Sequence, residues 1–243
     1  MKQSRFLLMP LFAAMILFFS SCGDNEEKTE TDAVTTDTAA AATTTPEPAA
    51  VAQPVNIMIV KHKVANFSKW KPSYESHDSM RLASGIHSFV IGRGVQDSNM
   101  VMVAVKVDDV EKAKAFSKDP GLKKAMQQGG VVGTPTIMLL TVPYLSASDN
   151  STLRSMVTHT VKDWEAWKTG FESNRQVRLD NGLTDRAYGY DVDDNHKVTV
   201  VVSITDTAKA NAFMKSDLLK QKMKEGGVVG EPTRFIYRVV QTY

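Results

Sequence analysis

The chain contains the same stretch of sequence twice, and this duplication constrains its fold more than any other feature. When residues 60–142 are shifted by 97 positions without a gap, about 33 of the 83 aligned positions are identical. The segment Gly-Gly-Val-Val-Gly at 129–133 falls on the same five residue types at 226–230. A gapless match of this length indicates two copies of one structural unit that fold alike.

Each copy has the same predicted order of elements. An apolar strand (57–64 or 156–161) precedes an amphipathic helix, for which Asn66 and Asp163 are the predicted N-caps. Pro72 predicts a short turn where the first of these helices begins, because proline lacks the N–H of a helix interior. Two strands, a second helix and a last strand follow. We place them at 86–92, 100–107, 109–128 and 136–142, and at 183–191, 197–204, 206–225 and 234–240.

The order βαββαβ is that of a ferredoxin-like unit. Its sheet has helices on one face and needs a cover on the other, and two such sheets can cover each other. The sequence therefore predicts an α+β protein, with two ferredoxin-like repeats packed sheet-to-sheet in one chain. We place repeat 1 at 55–147 and repeat 2 at 148–243. A monomer with an internal pseudo-dimer is favoured over a homodimer, because one chain carries both halves.

The repeated motifs resemble a known family. Each copy has His-x-Val-x-Asn/Asp-aromatic-x-x-Trp-Lys, then Arg-x-x-x-Gly, then Gly-Gly-Val-Val-Gly-x-Pro. This pattern is similar to the dimeric α/β-barrel superfamily that includes antibiotic biosynthesis monooxygenase-like domains. The resemblance implies a barrel that most relatives build from two subunits. The haem-degrading branch uses a histidine on the second helix and a tryptophan on the third strand, and neither copy has them.

Six repeated residues form the candidate ligand-binding set: His62, Trp70, Arg81, His159, Trp167 and Arg178. His62 and His159 alternate with valines on the first strand of each copy. If that face looks into the barrel, each imidazole lies in a cleft and can exchange a proton with a small ligand. These two histidines are also the candidate catalytic bases. The alternative is a histidine that bonds neighbouring backbone and fills space.

The arginines and tryptophans of this set have alternative roles. Arg81 and Arg178 can reach an anionic ligand, or can form ion pairs with Glu75 and Glu172 six residues earlier. The two tryptophans follow helical spacing with a second aromatic residue, which is typical of core packing against the sheet. They can also line a pocket.

Other kinds of site have little support in the sequence. The Gly-Gly-Val-Val-Gly segment follows a helix, where the dipole repels anions, so we predict Gly129 and Gly226 as C′ caps and not a phosphate loop. The histidines lack metal-ligand spacing, and the only cysteine is Cys22, so we predict no metal and no cofactor. A net charge of about +6 over 55–243 is too small to indicate nucleic-acid binding.

The first 54 residues predict export. Residues 1–21 combine a basic start with 14 mainly apolar residues, too short for the ~30 Å hydrocarbon core of a bilayer. Ser-Ser before Cys22 resembles a bacterial lipoprotein signal. The resemblance implies a lipidated Cys22 and an anchor in the cell envelope, at the outer membrane; the alternative is an ordinary signal peptide. Residues 22–54 are rich in Thr, Ala and acids and are predicted to be a disordered tether.

Three functions remain open on this evidence. The first is a membrane-tethered protein that binds a small apolar or weakly acidic molecule in the barrel clefts. The second, implied by the family resemblance, is a cofactor-independent monooxygenase-like enzyme that uses the two histidines. The third is a structural or partner-binding lipoprotein with filled clefts. The lack of a strong catalytic constellation favours binding over catalysis.

Overall fold

The computed structural model of the protein describes residues 53–146 and 151–243. The predicted signal peptide, Cys22 and almost all of the predicted tether lie outside these residues, as does the short segment 147–150 between the repeats. Within the two described ranges, no helix is both long and apolar enough to cross a membrane.

Both repeats contain four strands and four short helices among the described residues. In repeat 1 they are β1 (Val55–Val64), α1 (Phe67–Ser76), α2 (Asp78–Leu82), β2 (Ile86–Gly94), β3 (Met100–Val107), α3 (Val110–Ser117), α4 (Pro120–Gln128) and β4 (Val131–Leu145). In repeat 2 they are β5 (Leu153–Val161), α5 (Trp164–Ser173), α6 (Arg175–Asp180), β6 (Leu183–Asp191), β7 (Asp194–Ile204), α7 (Thr207–Met214), α8 (Asp217–Glu225) and β8 (Val228–Thr242).

The eight strands form one closed antiparallel barrel in the order β1-β3-β2-β8-β5-β7-β6-β4. The last strand of each repeat is 15 residues long, and its second half pairs with the other repeat. Leu140 of β4 pairs with Asp191, and Tyr237 of β8 pairs with Gly94 at the equivalent position. The predicted fold class is confirmed, and closure through paired strand edges leaves no edge of the barrel open.

Strand periodicity divides the apolar residues into two layers. On β1, Ile57 and Ile59 belong to the cluster that fills the barrel interior. Met58 and Val60 point to the opposite face, where they pack with Trp70 and other helix residues outside the barrel. Repeat 2 has an equivalent outer cluster under α5 to α8. Each ligand-sized space in this architecture therefore lies either inside the barrel or between the barrel wall and the helices.

The first helix of each repeat differs from the prediction. It begins normally, because the side chain of Asn66 accepts a hydrogen bond from the Lys69 N–H at 3.0 Å. Pro72 lies inside α1 and does not form the predicted turn at the helix start. The helix breaks instead at His77, and repeat 2 breaks at the equivalent Asn174, although Thr169 replaces the proline there. The proline is therefore not the cause of the break.

The glycine segment after the second helix also differs in detail. Gly129 and Gly226 have right-handed backbone angles, with φ of −72° and −74°. Gly130 and Gly227 adopt the left-handed conformation, with φ of 80° and 70°. The predicted C′ glycines were therefore wrong by one residue. The last strands also begin earlier than predicted, at Val131 in repeat 1 and at Val228 in repeat 2.

Candidate functional site

The six repeated residues lie in two equivalent clefts, each between the helices and the outer wall of the barrel. In cleft 1 the imidazole of His62 lies 5.4 Å from the ring of Trp70. In cleft 2 the imidazole of His159 lies 5.5 Å from the ring of Trp167. The expectation that the histidine face looks into the barrel is wrong, because Ile57 and its alternating neighbours line the interior.

Both histidines are buried without polar partners. His62 is 4% exposed and His159 is 8% exposed, and neither ring nitrogen of either residue has a hydrogen-bond partner among the residues that the structure describes. Burial lowers the pKa of each imidazole from 6.5 to about 4. Both rings are therefore neutral at neutral pH. The alternative of histidines bonded to neighbouring backbone is wrong.

Arg178 is anchored to both the sheet and the first helix of repeat 2. Its guanidinium donates two hydrogen bonds to the carboxylate of Asp185, at 2.7 and 2.6 Å, and a third to the carbonyl of Phe171 at 2.6 Å. It also lies 3.5 Å from the centroid of the Phe171 ring. The arginine positions an aromatic wall of cleft 2, and three of its donor nitrogens are occupied.

Arg81 plays the same part in repeat 1 with a different carboxylate. It donates to the carbonyl of Tyr74 at 2.7 Å and to Asp78 at 2.9 Å, and it lies over the Tyr74 ring at 3.8 Å. The predicted partners Glu75 and Glu172 are wrong for both arginines. Glu75 pairs with Lys71, and Glu172 accepts a hydrogen bond from a tyrosine hydroxyl on β6.

The tryptophans are both core residues and cleft walls. Trp70 and Trp167 are each 4% exposed. They stack on Tyr74 and Phe171, with ring centroids 5.2 and 4.9 Å apart. Each indole also lines its cleft beside the histidine. The two roles proposed from the sequence are thus compatible.

The two clefts differ strongly in size. Cleft 1 has a volume of about 80 Å³, and cleft 2 has a volume of about 410 Å³. Small-molecule sites in proteins have volumes of roughly 300 to 1,000 Å³, and an engineered cavity that binds benzene has about 150 Å³. Cleft 2 therefore has room for an organic ligand, whereas cleft 1 does not.

Side-chain size at a few equivalent positions accounts for the difference. Cleft 1 is lined by larger residues than cleft 2 at five positions: Met58 against Ser155, Ser73 against Gly170, Tyr74 against Phe171, His77 against Asn174, and Met80 against Val177. The two methionines contribute most of the additional volume. A further change, from Ile137 to Arg234, adds a cation to the wall of cleft 2.

Cleft 2 also has a polar side that cleft 1 lacks. The hydroxyl of Ser155 is buried and, like the ring nitrogens of His159, has no hydrogen-bond partner within residues 53–146 and 151–243. Arg234 on β8 pairs with Val157, which lies between these two residues on the same face of β5. Partial burial lowers the pKa of Arg234, but a guanidinium keeps its charge at neutral pH. The wall thus presents a hydroxyl, a neutral imidazole and a cation.

Ser155 and Arg234 are not among the predicted site residues, because those residues are the ones that the two copies share. Both stand where the other copy has a large apolar residue, so the differences between the copies carried the signal. Among the residues that the structure describes, no group of three His, Cys, Asp or Glu side chains is placed to hold a metal ion.

No protein-family model and no curated protein matches this chain. Solved structures do match. An anthrone oxidase-like protein is 13% identical, with a TM-score of 0.55 over 81% of this chain and 96% of that protein. A candidate monooxygenase from Fusobacterium nucleatum subsp. nucleatum is 11% identical, with a TM-score of 0.52 over 78% and 94%.

A mutant chlorite dismutase from Candidatus Nitrospira defluvii, in complex with cyanide, is 10% identical, with a TM-score of 0.51 over 77% of this chain and 91% of that protein. At such identities the likeness concerns the fold alone. The chain therefore has the dimeric α/β-barrel fold of monooxygenase-like and chlorite dismutase-like proteins, with both halves of the barrel supplied by one polypeptide.

Proposed function

We propose that the protein binds a small, mainly apolar molecule in cleft 2, and that this molecule carries a polar or weakly acidic group. The observation that carries the proposal is the set of unpartnered polar atoms on Ser155 and His159 in the wall of a 410 Å³ cavity. Each unsatisfied buried polar atom destabilises the folded state by roughly 1–3 kcal/mol. An occupant that supplies the missing hydrogen bonds removes that penalty.

The protonation state of His159 favours a ligand that can both donate and accept a hydrogen bond. A neutral imidazole donates through one ring nitrogen and accepts through the other. Because burial lowers its pKa to about 4, His159 is in this form throughout the physiological range. A phenol or an enol offers the matching hydroxyl and an apolar ring system, which suits the remaining apolar wall.

Cleft 1 provides the internal comparison. It has the same buried, unpartnered histidine and the same tryptophan, but its volume is about 80 Å³. The hypothesis that side chains fill both clefts therefore agrees with the volume of cleft 1 but not with that of cleft 2. We assign cleft 1 a structural role.

Binding can be tested by exchanging the residues that set cavity size. The variant Ser155→Met/Val177→Met gives cleft 2 the side chains of cleft 1. Fluorescence titration with the neutral probe N-phenyl-1-naphthylamine should detect one site in the natural protein and at least a tenfold weaker site in this variant. The reciprocal variant, Met58→Ser/Met80→Val, is the matched control and should retain the natural affinity at cleft 2.

The outcomes are decisive for the binding proposal. A filled variant that keeps its circular dichroism spectrum and binds the probe as the natural protein does would reject cleft 2 as the site. Absence of binding to the natural protein, for this probe and for a series of simple phenols, would reject the proposed function.

A cofactor-independent oxygenation in cleft 2 is the second candidate, favoured by the neutral imidazole in a ligand-sized cavity and by the fold shared with monooxygenase-like proteins. His159 would take a proton from an activated C–H or O–H of the substrate. The resulting anion would transfer electrons to O₂, so that a CH₂ group becomes a carbonyl and one water is released for each O₂ consumed.

Oxygen uptake with anthrone as the probe tests this candidate. Turnover that is lost in His159→Ala and kept in the matched His62→Ala variant would support it. Absence of turnover, or equal turnover in both variants and in their double variant, would leave the binding function alone.

We also propose that a lipid on Cys22 anchors the protein in the cell envelope, supported by the apolar run and the small residues before this cysteine. Metabolic labelling with a palmitate analogue tests the anchor. Label and membrane association should both disappear in Cys22→Ser. A labelled Cys22→Ser protein, or an unlabelled natural protein, would contradict the anchor.

A further inference from the structure

The two repeats meet at two equivalent junctions, and one of them is closed. At the closed junction β4 pairs with β6, and the β6–β7 hairpin reaches helix α3 of repeat 1. The Lys114 ammonium donates to the carboxylate of Asp193 at 2.7 Å. Beside it, the N–H of Val192 donates to the carbonyl of Leu139 at 3.0 Å, and the Val192 side chain packs against the outer cluster of repeat 1.

The other junction, between β2 and β8, is open. The backbone bond is the same, since the N–H of Val95 donates to the carbonyl of Ile236 at 3.0 Å. However, the Val95 side chain is 49% exposed, and Gln96 and Asn211 replace the ion pair. These two residues line a groove of about 400 Å³.

The open groove adjoins cleft 2. Met214 and Arg234 line both the groove and the cleft. Their equivalents at the closed junction are Ser117 and Ile137. Of the two equivalent clefts, the one large enough for an organic ligand therefore adjoins the junction that is not sealed.

The groove is positively charged. Three cations line it: Lys61, Lys215 and Arg234. None of them forms an ion pair with any residue that the structure describes. Of the described residues that line the groove, one carries a carboxylate, and this residue, Asp97, pairs with Lys63 outside the groove at 2.9 Å.

We propose that this groove is the entrance to cleft 2 and that it binds the carboxylate of an elongated, mainly apolar ligand. The inference rests on the proposed binding function and specifies its ligand class. The body of the ligand, mainly apolar and carrying the polar group that bonds Ser155 and His159, would occupy the cleft. The carboxylate would lie in the groove on Arg234, whose planar guanidinium suits bidentate pairing, with Lys61 and Lys215 beside it.

Ligand class is tested by comparing dodecanoate with dodecanol on the full-length protein, each by displacement of N-phenyl-1-naphthylamine. The acid should bind at least tenfold more tightly than the alcohol at low salt, and the ratio should fall as salt is added. The ratio should approach one in Arg234→Ile, which carries the residue of cleft 1. Lys215→Ala should lower the ratio, whereas Lys118→Ala, the equivalent change in repeat 1, should not.

These measurements separate the two proposals. Failure of both the neutral probe and the simple phenols to bind would remove the binding function itself. Binding of the probe together with equal affinities for acid and alcohol would overturn the carboxylate inference alone. An unchanged acid-to-alcohol ratio in Arg234→Ile would overturn it as well.

The entrance is tested by sealing it. Gln96→Asp/Asn211→Lys copies the ion pair of the closed junction. In stopped-flow measurements with the neutral probe, association and dissociation should both slow at least fivefold, with little change in Kd. The reciprocal variant, Lys114→Asn/Asp193→Gln, should leave both rates as they are. Unchanged rates in the sealed variant would overturn the groove as the entrance.

Discussion

Arg178 and Asp185 form a two-point ion pair that is buried between helix α6 and strand β6. The two hydrogen bonds measure 2.7 and 2.6 Å, and the two residues are 7% and 6% exposed. In repeat 1 the position of Asp185 is occupied by Ser88. Arg81 pairs instead with Asp78 on its own helix, whose side chain is 49% exposed. The same arginine is thus anchored from the sheet in one repeat and from the helix in the other.

Replacing Asp185 by serine, the residue of repeat 1, should destabilise the protein strongly. It leaves the buried Arg178 without a counter-charge, and removing one partner of a buried pair typically costs about 3–5 kcal/mol. Urea unfolding followed by tryptophan fluorescence measures the loss. The double variant Asp185→Ser/Arg175→Asp places a carboxylate at the position that is equivalent to Asp78 of repeat 1. It should recover part of the lost stability. A loss below about 1 kcal/mol for the single variant would contradict a structural role for the pair.

Stability should fall as the pH drops from 6.5 to 4. Burial lowers the pKa of His62 and His159 to about 4, with no charged neighbour to offset it. Between the two pKa values the unfolded chain binds protons that the folded protein does not, so protonation favours unfolding. The decrease in the free energy of unfolding is complete below pH 4 and amounts to about 3 kcal/mol for each histidine.

Unfolding free energies measured across this pH range test the prediction. His62→Gln and His159→Gln should each make the free energy of unfolding depend less on pH, and the double variant should show the weakest dependence. His87→Gln is the control, because its imidazole is largely exposed and pairs with Asp108 at the surface. If the free energy of unfolding depends on pH equally in the natural protein and in the double variant, the prediction is contradicted.

Gly189→Ala should weaken the closure of the barrel. A Cβ at this position would overlap the carbonyl oxygen of Thr141 on the adjoining strand of repeat 1. Because the obstacle is backbone, the strands must separate, and we expect a loss of about 2 kcal/mol or more in thermal unfolding. Gly170→Ala is the control, since a Cβ there contacts nothing within 4 Å in helix α5, and it should stabilise by up to about 1 kcal/mol. Similar melting temperatures for the two variants would contradict the close contact between Gly189 and the backbone of Thr141.

The two repeats should not behave as independent domains. Cutting the chain between 147 and 150 leaves the outer edges of β2 and β4 unpaired in one piece and those of β6 and β8 in the other. Unpaired edges and the uncovered interior face favour association. Light scattering should find a one-to-one complex when the pieces are mixed. Two stable monomers with no mutual affinity would contradict the closed barrel.

Much of the fold could be predicted because it depends on local patterns. The duplication, the strand periodicity and the caps at Asn66 and Asp163 determined the order of elements, and each of these side chains accepts a backbone hydrogen bond at the predicted helix start. The break at His77 was not predicted, since the proline that suggested a disturbance lies elsewhere in the helix.

The candidate site was predicted only in part. The alignment of the copies identified the six residues that gather in the clefts, but their contacts depend on chain segments distant from them. Because side chains alternate between the two faces of a strand, the sequence shows that His62 shares a face with Val60. Only the packing of the helices against the sheet shows that this face points outward. The partner of Arg178 lies on the next strand, and no pattern in the helix indicates it.

The sequence by itself determined that this protein is one unit built twice, because repeated residues at matching spacing form matching elements. Only the tertiary structure decided that the copies close a single barrel and that one cleft is filled while the other is open. Two strands pair only where the fold brings their edges together, and the volume of a cavity depends on side chains from several elements. These quantities belong to the packed molecule and to no single segment of the chain.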